Sequence, residues 1–159
     1  SFPYLSSPDL SWFNCDEDNT IKTKNGYECD DHDNWGWYPE EREEVANFIK
    51  NNDIPVCIVS GDAHMSAIDD GTNSDYATNG GAPIPILHAG PLDRKPSIKG
   101  GPYSHGVSGI RGQYGIMEIT DNGGDKLCIE WKIKNYKGEF VLNTEGELLQ
   151  YSFCFQLDN

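Results

Sequence analysis

The stretch that most constrains the fold of this chain is residues 54–65, Ile-Pro-Val-Cys-Ile-Val-Ser-Gly-Asp-Ala-His-Met. Its centre, residues 56–59, is a short unbroken apolar run. Such a run predicts a strand that is buried on both faces, in the middle of an α/β sheet. A helix is the competing interpretation, but the run is too short and too β-branched for one. Gly61 ends the strand because glycine allows a sharp turn of the backbone.

Asp62 and His64 follow this predicted strand, two positions apart. In an extended chain, residues at this spacing project to the same side, so a carboxylate and an imidazole are expected to leave the strand end together. The carboxyl ends of strands are where open α/β sheets place their binding sites. The stretch therefore predicts a functional site, against the alternative that His64 merely caps a loop.

A helix is predicted over residues 39–51. Pro39 suits the first helical turn, and glutamates crowd the N-terminal end, where the helix dipole favours negative charge. Val45, Phe48 and Ile49 form a narrow apolar stripe at helical spacing.

The rest of the chain is predicted to form loops and strands. A polar loop is expected over residues 65–81, with a short strand at 84–87 and a glycine- and proline-rich loop at 90–112 that shapes a substrate pocket. Turn signals then separate four further predicted strands, at residues 114–120, 127–133, 139–142 and 148–157.

Size and charge limit the classes of partner. A chain of 159 residues predicts a single domain, and its net charge of -14 argues against nucleic acid or an anionic membrane as a partner. The acidity either favours cations or simply keeps a secreted protein soluble. No apolar stretch is long enough to span a bilayer. Without an initiator methionine, Ser1 is expected to be a processed or truncated start.

Five cysteines leave at least one unpaired. We expect Cys57, inside the buried strand, to be a free thiol. Cys15 and Cys29 flank a polar loop and Cys128 and Cys154 sit on two predicted strands, so we pair Cys15 with Cys29 and Cys128 with Cys154. Disulfides predict a secreted or luminal compartment, against the alternative of five reduced thiols in a cytosolic protein.

Two motifs resemble those of a known enzyme family. Residues 60–64, Ser-Gly-Asp-Ala-His, resemble the last metal-binding motif of the PhoD-like (alkaline phosphatase D) metallophosphoesterases. Residues 33–39, Asp-Asn-Trp-Gly-Trp-Tyr-Pro, together with Arg42, are similar to the Asp-x-Trp stretch that leads into a helix in that family. The resemblance covers residues 33–112, in the family's order, and the matching region belongs to the C-terminal half of such enzymes.

The resemblance implies an α/β fold: the C-terminal half of the αββα two-sheet sandwich of metallophosphoesterases, β-rich toward the C-terminus. Residues 1–159 would form a single domain in three parts. Residues 1–33 would be an irregular segment stapled by a disulfide, residues 34–112 the metal-site half of the sheet, and residues 113–159 C-terminal β-hairpins.

The same resemblance implies a dinuclear centre of divalent or mixed metals (Ca, Fe, Zn or Mn). His64 would be a metal ligand, Asp62 a ligand or a partner of one, and Asp33 a carboxylate near the site. Asp62 and His64 would carry catalysis. Arg94, His105 and Arg111 lie in the predicted pocket loop and are candidates for binding phosphate oxygens, although ordinary loop hydrogen bonds are the alternative for each.

The expected function is therefore metal-dependent hydrolysis of a phosphate ester. One strand end cannot hold two metals alone, so the chain is expected to need an N-terminal half or a partner chain and to be inactive by itself. It would be a C-terminal fragment, one piece of a nicked enzyme, or a descendant that has lost catalysis. The alternative function is a non-catalytic, secreted, acidic binding or assembly module on the same scaffold.

Overall fold

The computed structural model describes residues 38–98 and 101–157. These residues form a mixed α/β structure, mostly strands, with one helix and two sheets. Among the sequence predictions, Asp33 and the Cys15–Cys29 pair lie outside the described residues. The elements are α1 (Pro39–Asn51), β1 (Ile58–Ser60), β2 (Ser66–Asp69), β3 (Ile86–His88), β4 (Val107–Ser108), β5 (Gln113–Asp121), β6 (Lys126–Asn135) and β7 (Gln150–Gln156).

The first sheet contains four short strands in the order β1-β3-β2-β4. β1 and β3 are parallel, with Val59 opposite Leu87, whereas β2 is antiparallel to both β3 and β4. The carboxyl ends of β1 and β3 and the start of β2 consequently lie at the same edge of this sheet. Residues 61–65 and 89–94, which leave or enter these strands, are therefore brought together at that edge.

The second sheet is an antiparallel meander of β5, β6 and β7. The glycine-rich turn at residues 122–125 joins β5 to β6, as the sequence predicted. Cys128 and Cys154 lie directly opposite each other on β6 and β7 and form a disulfide, which confirms that predicted pair. Closing a 26-residue separation contributes about 3 kcal/mol by restricting the unfolded chain.

The two sheets share the largest core cluster. Ile68 and Leu87 from the first sheet pack with Ile129, Trp131 and Ile133 of β6, all buried. Because β6 side chains alternate between faces, these three residues point to one side of the second sheet and fix which face meets the first. This packing holds the edge of the first sheet beside the start of β5.

The structure corrects the prediction for β1. β1 starts two residues later than expected, and among the described strands it lies at the edge of its sheet, not in the middle. Val59 is 52% exposed, so the strand is not buried on both faces. Cys57, just before it, is a half-buried free thiol, as predicted, and burial raises the pKa of this thiol.

Two further strand predictions were wrong. Residues 66–69 were expected to lie in a polar loop but form β2, in which every residue is buried. Residues 139–142 were expected to form a strand but make only isolated bridges, Lys134 with Phe140 and Leu142 with Leu148. β2 was missed because Ser66 and Asp69 are polar. Their burial is tolerated only because the fold supplies hydrogen-bond partners for both side chains.

α1 has the predicted bounds but not the expected packing. Ala46 is fully buried against Ala77 and Ala82, with Ile49 packed beside them. Val45 and Phe48, two members of the predicted stripe, are exposed. The short alanine side chains let the helix approach residues 76–82 closely.

The other inward side chain of α1 is that of Arg42. Arg42 is buried, with its guanidinium carbon 4.0 Å from the ring centroid of Tyr76. Burial lowers the pKa of this guanidinium from its ordinary value. The arginine that the family resemblance linked to residues 33–39 therefore packs between α1 and the segment that joins β2 to β3.

Asp69 ties the end of β2 to two loops. Its buried carboxylate accepts backbone hydrogen bonds from Gly71, Asn73 and Ser104, each 3.0 Å long. The side chains of Asn73 and Ser74 donate two more, at 2.7 and 3.2 Å. Five donors explain how a carboxylate is tolerated at zero exposure.

We predict that Asp69→Ala lowers the free energy of unfolding by about 3 kcal/mol or more, because several buried donors lose their acceptor. Asp121→Ala is the matched control, since Asp121 is exposed and its carboxylate accepts one backbone hydrogen bond, from Gly123. Urea unfolding of both variants measures the difference. Equal losses would contradict the role given to Asp69.

Candidate functional site

A cleft of about 430 Å³ opens at the edge of the first sheet where β1 and β3 end. Its walls come from the segment after β1, the segment after β3 and the start of β5. The lining residues are Asp62, His64, Ala89, Gly90, Pro91, Leu92, Asp93, Arg94, Gln113, Tyr114 and Gly115. The cleft therefore brings together Asp62, His64 and Arg94, three of the residues that the sequence singled out.

Asp62 and His64 reach the cleft by a different geometry from the one expected. Their backbone φ angles are +72° and +60°, so neither residue is in extended chain. Aspartate and histidine are among the residues that tolerate this left-handed region best. The side chains share one cleft because the chain turns tightly between β1 and β2, not because they alternate along a strand. Asp62 is exposed and His64 is half-buried.

Hydrogen bonds fix the segments that carry these side chains. The Ser60 hydroxyl lies 2.6 Å from Nδ1 of the fully buried His88, which links the ends of β1 and β3. The Ser66 hydroxyl donates to the Gly90 carbonyl at 3.0 Å. The backbone carbonyl of His64 accepts from the Ser97 amide at 3.0 Å. His88 therefore has a structural role: it is buried and connects the ends of the two strands.

Gly115 forms the cleft wall where the two sheets meet. A Cβ atom at this position would overlap the indole ring of Trp131 and would lie 3.0 Å from Cβ of Ala89. Trp131 is buried in β6, and Ala89 directly follows β3. Only glycine lets the indole of the second sheet come this close to the cleft.

Gln113 contributes a fixed amide to the same wall. Its Nε2 donates to the carbonyls of Ser108 and Ile110, at 3.0 and 2.7 Å, so the amide cannot flip. Its Oε1 is buried, and no donor in residues 38–98 and 101–157 lies within hydrogen-bond distance of it. The side chain is therefore held rigidly, with its oxygen left as an acceptor.

The mouth of the cleft carries opposite charges. Arg94 and Asp93 are exposed lining residues, and the Arg111 guanidinium bonds to the Asp93 carboxylate, with Nε 3.0 Å from Oδ1. Arg111 does not line the cleft, but Asp93, with which it pairs, and Gln113, two residues along the chain, both do. Arg94 and Arg111 thus lie on two adjacent segments of the cleft wall.

His105 lies elsewhere, although it was grouped with the two arginines. Its Nε2 is 3.8 Å from the Asp70 carboxylate, and its ring centroid is 4.5 Å from that of Tyr151. Burial raises the pKa of Asp70, but hydrogen bonds from Thr72 and Ser104 and the charge of His105 outweigh it, and the pKa falls below its ordinary value.

Tyr151 of β7 is close enough to Asp70 and Asp69 for their charges to affect it. Burial and the negative charges of Asp70 and Asp69 raise the pKa of its hydroxyl. His105 therefore belongs to a cluster that joins the loop before β4 to β7, and it does not line the cleft.

The donor set of the cleft fits part of a metal shell. A carboxylate and an imidazole are ligands that divalent cations accept in proteins. Within the described residues, no group of three or more histidine, cysteine, aspartate or glutamate side chains is placed to hold a metal ion. Asp62 and His64 would therefore supply two ligands of a shell completed from outside these residues. Asp33, the third predicted ligand, lies outside them.

Comparisons of the chain with protein-family models, with curated proteins and with solved structures found no match. In the described part of the chain, no helix is both long and apolar enough to cross a membrane.

Three residues that shape the cleft were not identified from the sequence: Ser66, Gln113 and Gly115. Gly115 carried a usable signal, because an isolated glycine inside an apolar strand marks a close approach of another group. Ser66 and Gln113 gave no such signal in the sequence. Each shapes the cleft through a hydrogen bond, to the carbonyl of Gly90 and of Ser108, which is seen only in the folded structure.

We predict that Gly115→Ala destabilises the protein by about 1–3 kcal/mol, because the added methyl group must displace Trp131 or Ala89 in a packed core. Gly124→Ala is the matched control: it adds the same methyl group in the turn between β5 and β6, with nothing within 4 Å. Thermal unfolding of both variants measures the effect, and equal midpoints would contradict the close approach at Gly115.

Proposed function

We propose that this chain carries part of the active site of a metal-dependent phosphoric ester hydrolase similar to the PhoD-like enzymes. The observation that carries the proposal is the cleft itself. It gathers the Asp62 carboxylate, the His64 imidazole and the Arg94 guanidinium where two parallel strands end. Ligands for cations and a donor for phosphate oxygens thus share one site.

Each side chain has a separate role in this proposal. Asp62 and His64 bind the metal centre, and the tight turn between β1 and β2 fixes their orientation. Two divalent or mixed cations (Ca, Fe, Zn or Mn), held in part by Asp62 and His64, would supply an activated water and neutralise charge on the phosphoryl group. Arg94 binds phosphoryl oxygens, because a guanidinium donates two parallel hydrogen bonds to them. Gln113 and Gly115 shape the wall against which the ester rests.

The chain is proposed to be the C-terminal half of an αββα sandwich, completed by an N-terminal half or a partner chain. Exposed apolar side chains on α1, on β1 and between them support this: Phe48 is 60%, Val59 52%, and Val45 and Ile54 each 38% exposed. Among the described strands, β1 lies at the edge of its sheet and carries no charged residue, and such a strand is a suitable pairing surface. The two-ligand donor set supports it as well, since a dinuclear centre needs more ligands than the described residues bring together.

A secreted or luminal location is part of the same proposal. Disulfides form and persist in oxidising compartments, and the Cys128–Cys154 bridge of the second sheet is the supporting observation. Phosphate esters are the proposed substrates.

The second candidate function is a non-catalytic, acidic binding or assembly module. The observation that favours it is the acidity of the chain, which has 26 acidic residues against 12 lysines and arginines. Under this alternative the complete protein would fold stably without metal and would hydrolyse no phosphate ester.

For the complete protein, we predict that His64→Ala lowers kcat for phosphate ester hydrolysis by more than about 100-fold. Losing a residue that only hydrogen-bonds a metal ligand already lowers metal affinity or activity by about 10–100-fold, and His64 is proposed to be a ligand itself. The fold should survive, since His64 is only half-buried. Asn79→Ala is the matched control, because Asn79 has a similar φ of +62° and is exposed outside the cleft. It imposes a comparable backbone cost on alanine.

Steady-state hydrolysis of a chromogenic monoester and a chromogenic diester, with circular dichroism of each variant, measures the outcome. Near-normal turnover by a folded His64→Ala variant would contradict the proposed function. An equal loss of turnover in the Asn79→Ala variant would show that backbone strain, and not the loss of the imidazole, causes the effect.

A further inference from the structure

We propose that Arg111 forms a second anion subsite at the mouth of the cleft, next to Arg94, with Asp93 as the counter-ion that the ligand displaces. Preferred substrates would then carry a second phosphate-like group beyond the one that is hydrolysed. This inference rests on the proposed function, because it names the substrate class of the same cleft.

The backbone places the two arginines beside each other. The Pro91 carbonyl accepts hydrogen bonds from the amides of Gly112 and Gln113, at 2.9 and 3.0 Å. These bonds fasten the segment that carries Arg111 to the segment that carries Arg94. Pro91 is buried and lines the cleft, so the connection is part of the cleft wall.

The contact between Arg111 and Asp93 is one that a phosphate group can replace. The two side chains are 64% and 89% exposed, and exposed ion pairs are held weakly. Both Nε and Nη2 of Arg111 donate to the same oxygen, Oδ1 of Asp93. A phosphate group offers two oxygens to the same two donors and so matches the guanidinium fork better.

The charge at the cleft mouth differs from that of the whole chain. The chain has 26 acidic residues against 12 lysines and arginines, yet Arg94, Lys95 and Arg111 are close in the fold at this rim. Within residues 38–98 and 101–157, no carboxylate forms an ion pair with Arg94 or Lys95. Arg94 lines the cleft that holds His64, and Arg111 lies just outside it. A ligand that reaches both must extend outward from the reacting group.

Asp93 makes the subsite selective for charge. A singly charged group at the rim would gain little by displacing a carboxylate from Arg111, whereas a phosphate-like dianion gains stronger charge-assisted hydrogen bonds. The two members of the pair should therefore act in opposite directions. Arg111 increases affinity for the second anionic group, and Asp93 decreases it.

The test compares methylenediphosphonate with methylphosphonate as probes, by calorimetric titration of the complete protein after removal of metal with a chelator. Arg111→Gln should weaken diphosphonate binding by about tenfold or more, the usual effect of losing a hydrogen bond to a charged group, and should leave methylphosphonate binding within about twofold. Asp93→Asn should tighten diphosphonate binding by up to about fivefold, the value of an exposed ion pair.

Lys126→Gln is the control for the loss of one positive charge, because Lys126 is an exposed residue at the start of β6 and does not line the cleft. Changes of the same sign in diphosphonate affinity in the Arg111→Gln and Asp93→Asn variants would overturn the inference. A purely structural ion pair is broken equally by either substitution, so both variants would then change affinity in the same direction. Equal affinity of the unaltered protein for the two phosphonates would overturn it as well.

The outcomes separate this inference from the proposed function. Opposite shifts in binding in a protein that hydrolyses no phosphate ester, with metal restored, would support the anion subsite and contradict the hydrolase. Hydrolysis accompanied by unchanged diphosphonate binding in the Arg111→Gln variant would support the hydrolase and contradict the subsite.

Discussion

The contact between Trp131 and Gly115 is the packing constraint on which the cleft depends. The indole of β6 occupies the space that a side chain on β5 would take, and Ala89 closes the gap from the first sheet. A buried tryptophan provides a large area of apolar contact, so the packing of Trp131 against Ala89 contributes to the separation of the two sheets. Because the segment after β3 and the start of β5 both line the cleft, its width follows from that separation.

Three of the side chains that the proposals assign to ligand binding are exposed, whereas the groups that hold the surrounding segments are buried. Asp62, Arg94 and Asp93 reach solvent, while His88, Ser66 and Gln113 are almost completely enclosed and hold the surrounding segments by hydrogen bonds. This division is physically reasonable, because hydrogen bonds made by a buried polar group hold the neighbouring segments in place, and an exposed charge remains available to a ligand. The cleft thus combines a rigid wall with accessible ligands.

The sequence predicted those features that depend on neighbouring residues. The bounds of α1 follow from its proline and its glutamates, and the turn between β5 and β6 follows from its two glycines. The Cys128–Cys154 bridge followed from placing both cysteines on neighbouring strands. The position of Asp62 and His64 at a strand end was predicted too, but the left-handed backbone between them was not, because it depends on how β2 folds back.

The features that the sequence did not predict depend on contacts between distant segments. β2 was missed because Ser66 and Asp69 are polar, and their burial is stabilised by partners such as Gly90 and Ser104, more than twenty residues away. Val59 was expected inside a sheet, yet it lies on an edge strand of the described structure. Of the apolar stripe noted on α1, Ile49 is packed while Val45 and Phe48 are exposed, since no local pattern shows which face of a helix meets a partner.

Anomalous X-ray diffraction from crystals of the complete protein, recorded at the absorption edges of iron, zinc and manganese and at long wavelength for calcium, tests the central claim most directly. The account predicts peaks within about 2.0–2.6 Å of the His64 imidazole and the Asp62 carboxylate, the distances at which these ligands bind such cations. Crystals of a protein that hydrolyses phosphate esters but shows no peak beside either side chain would contradict it.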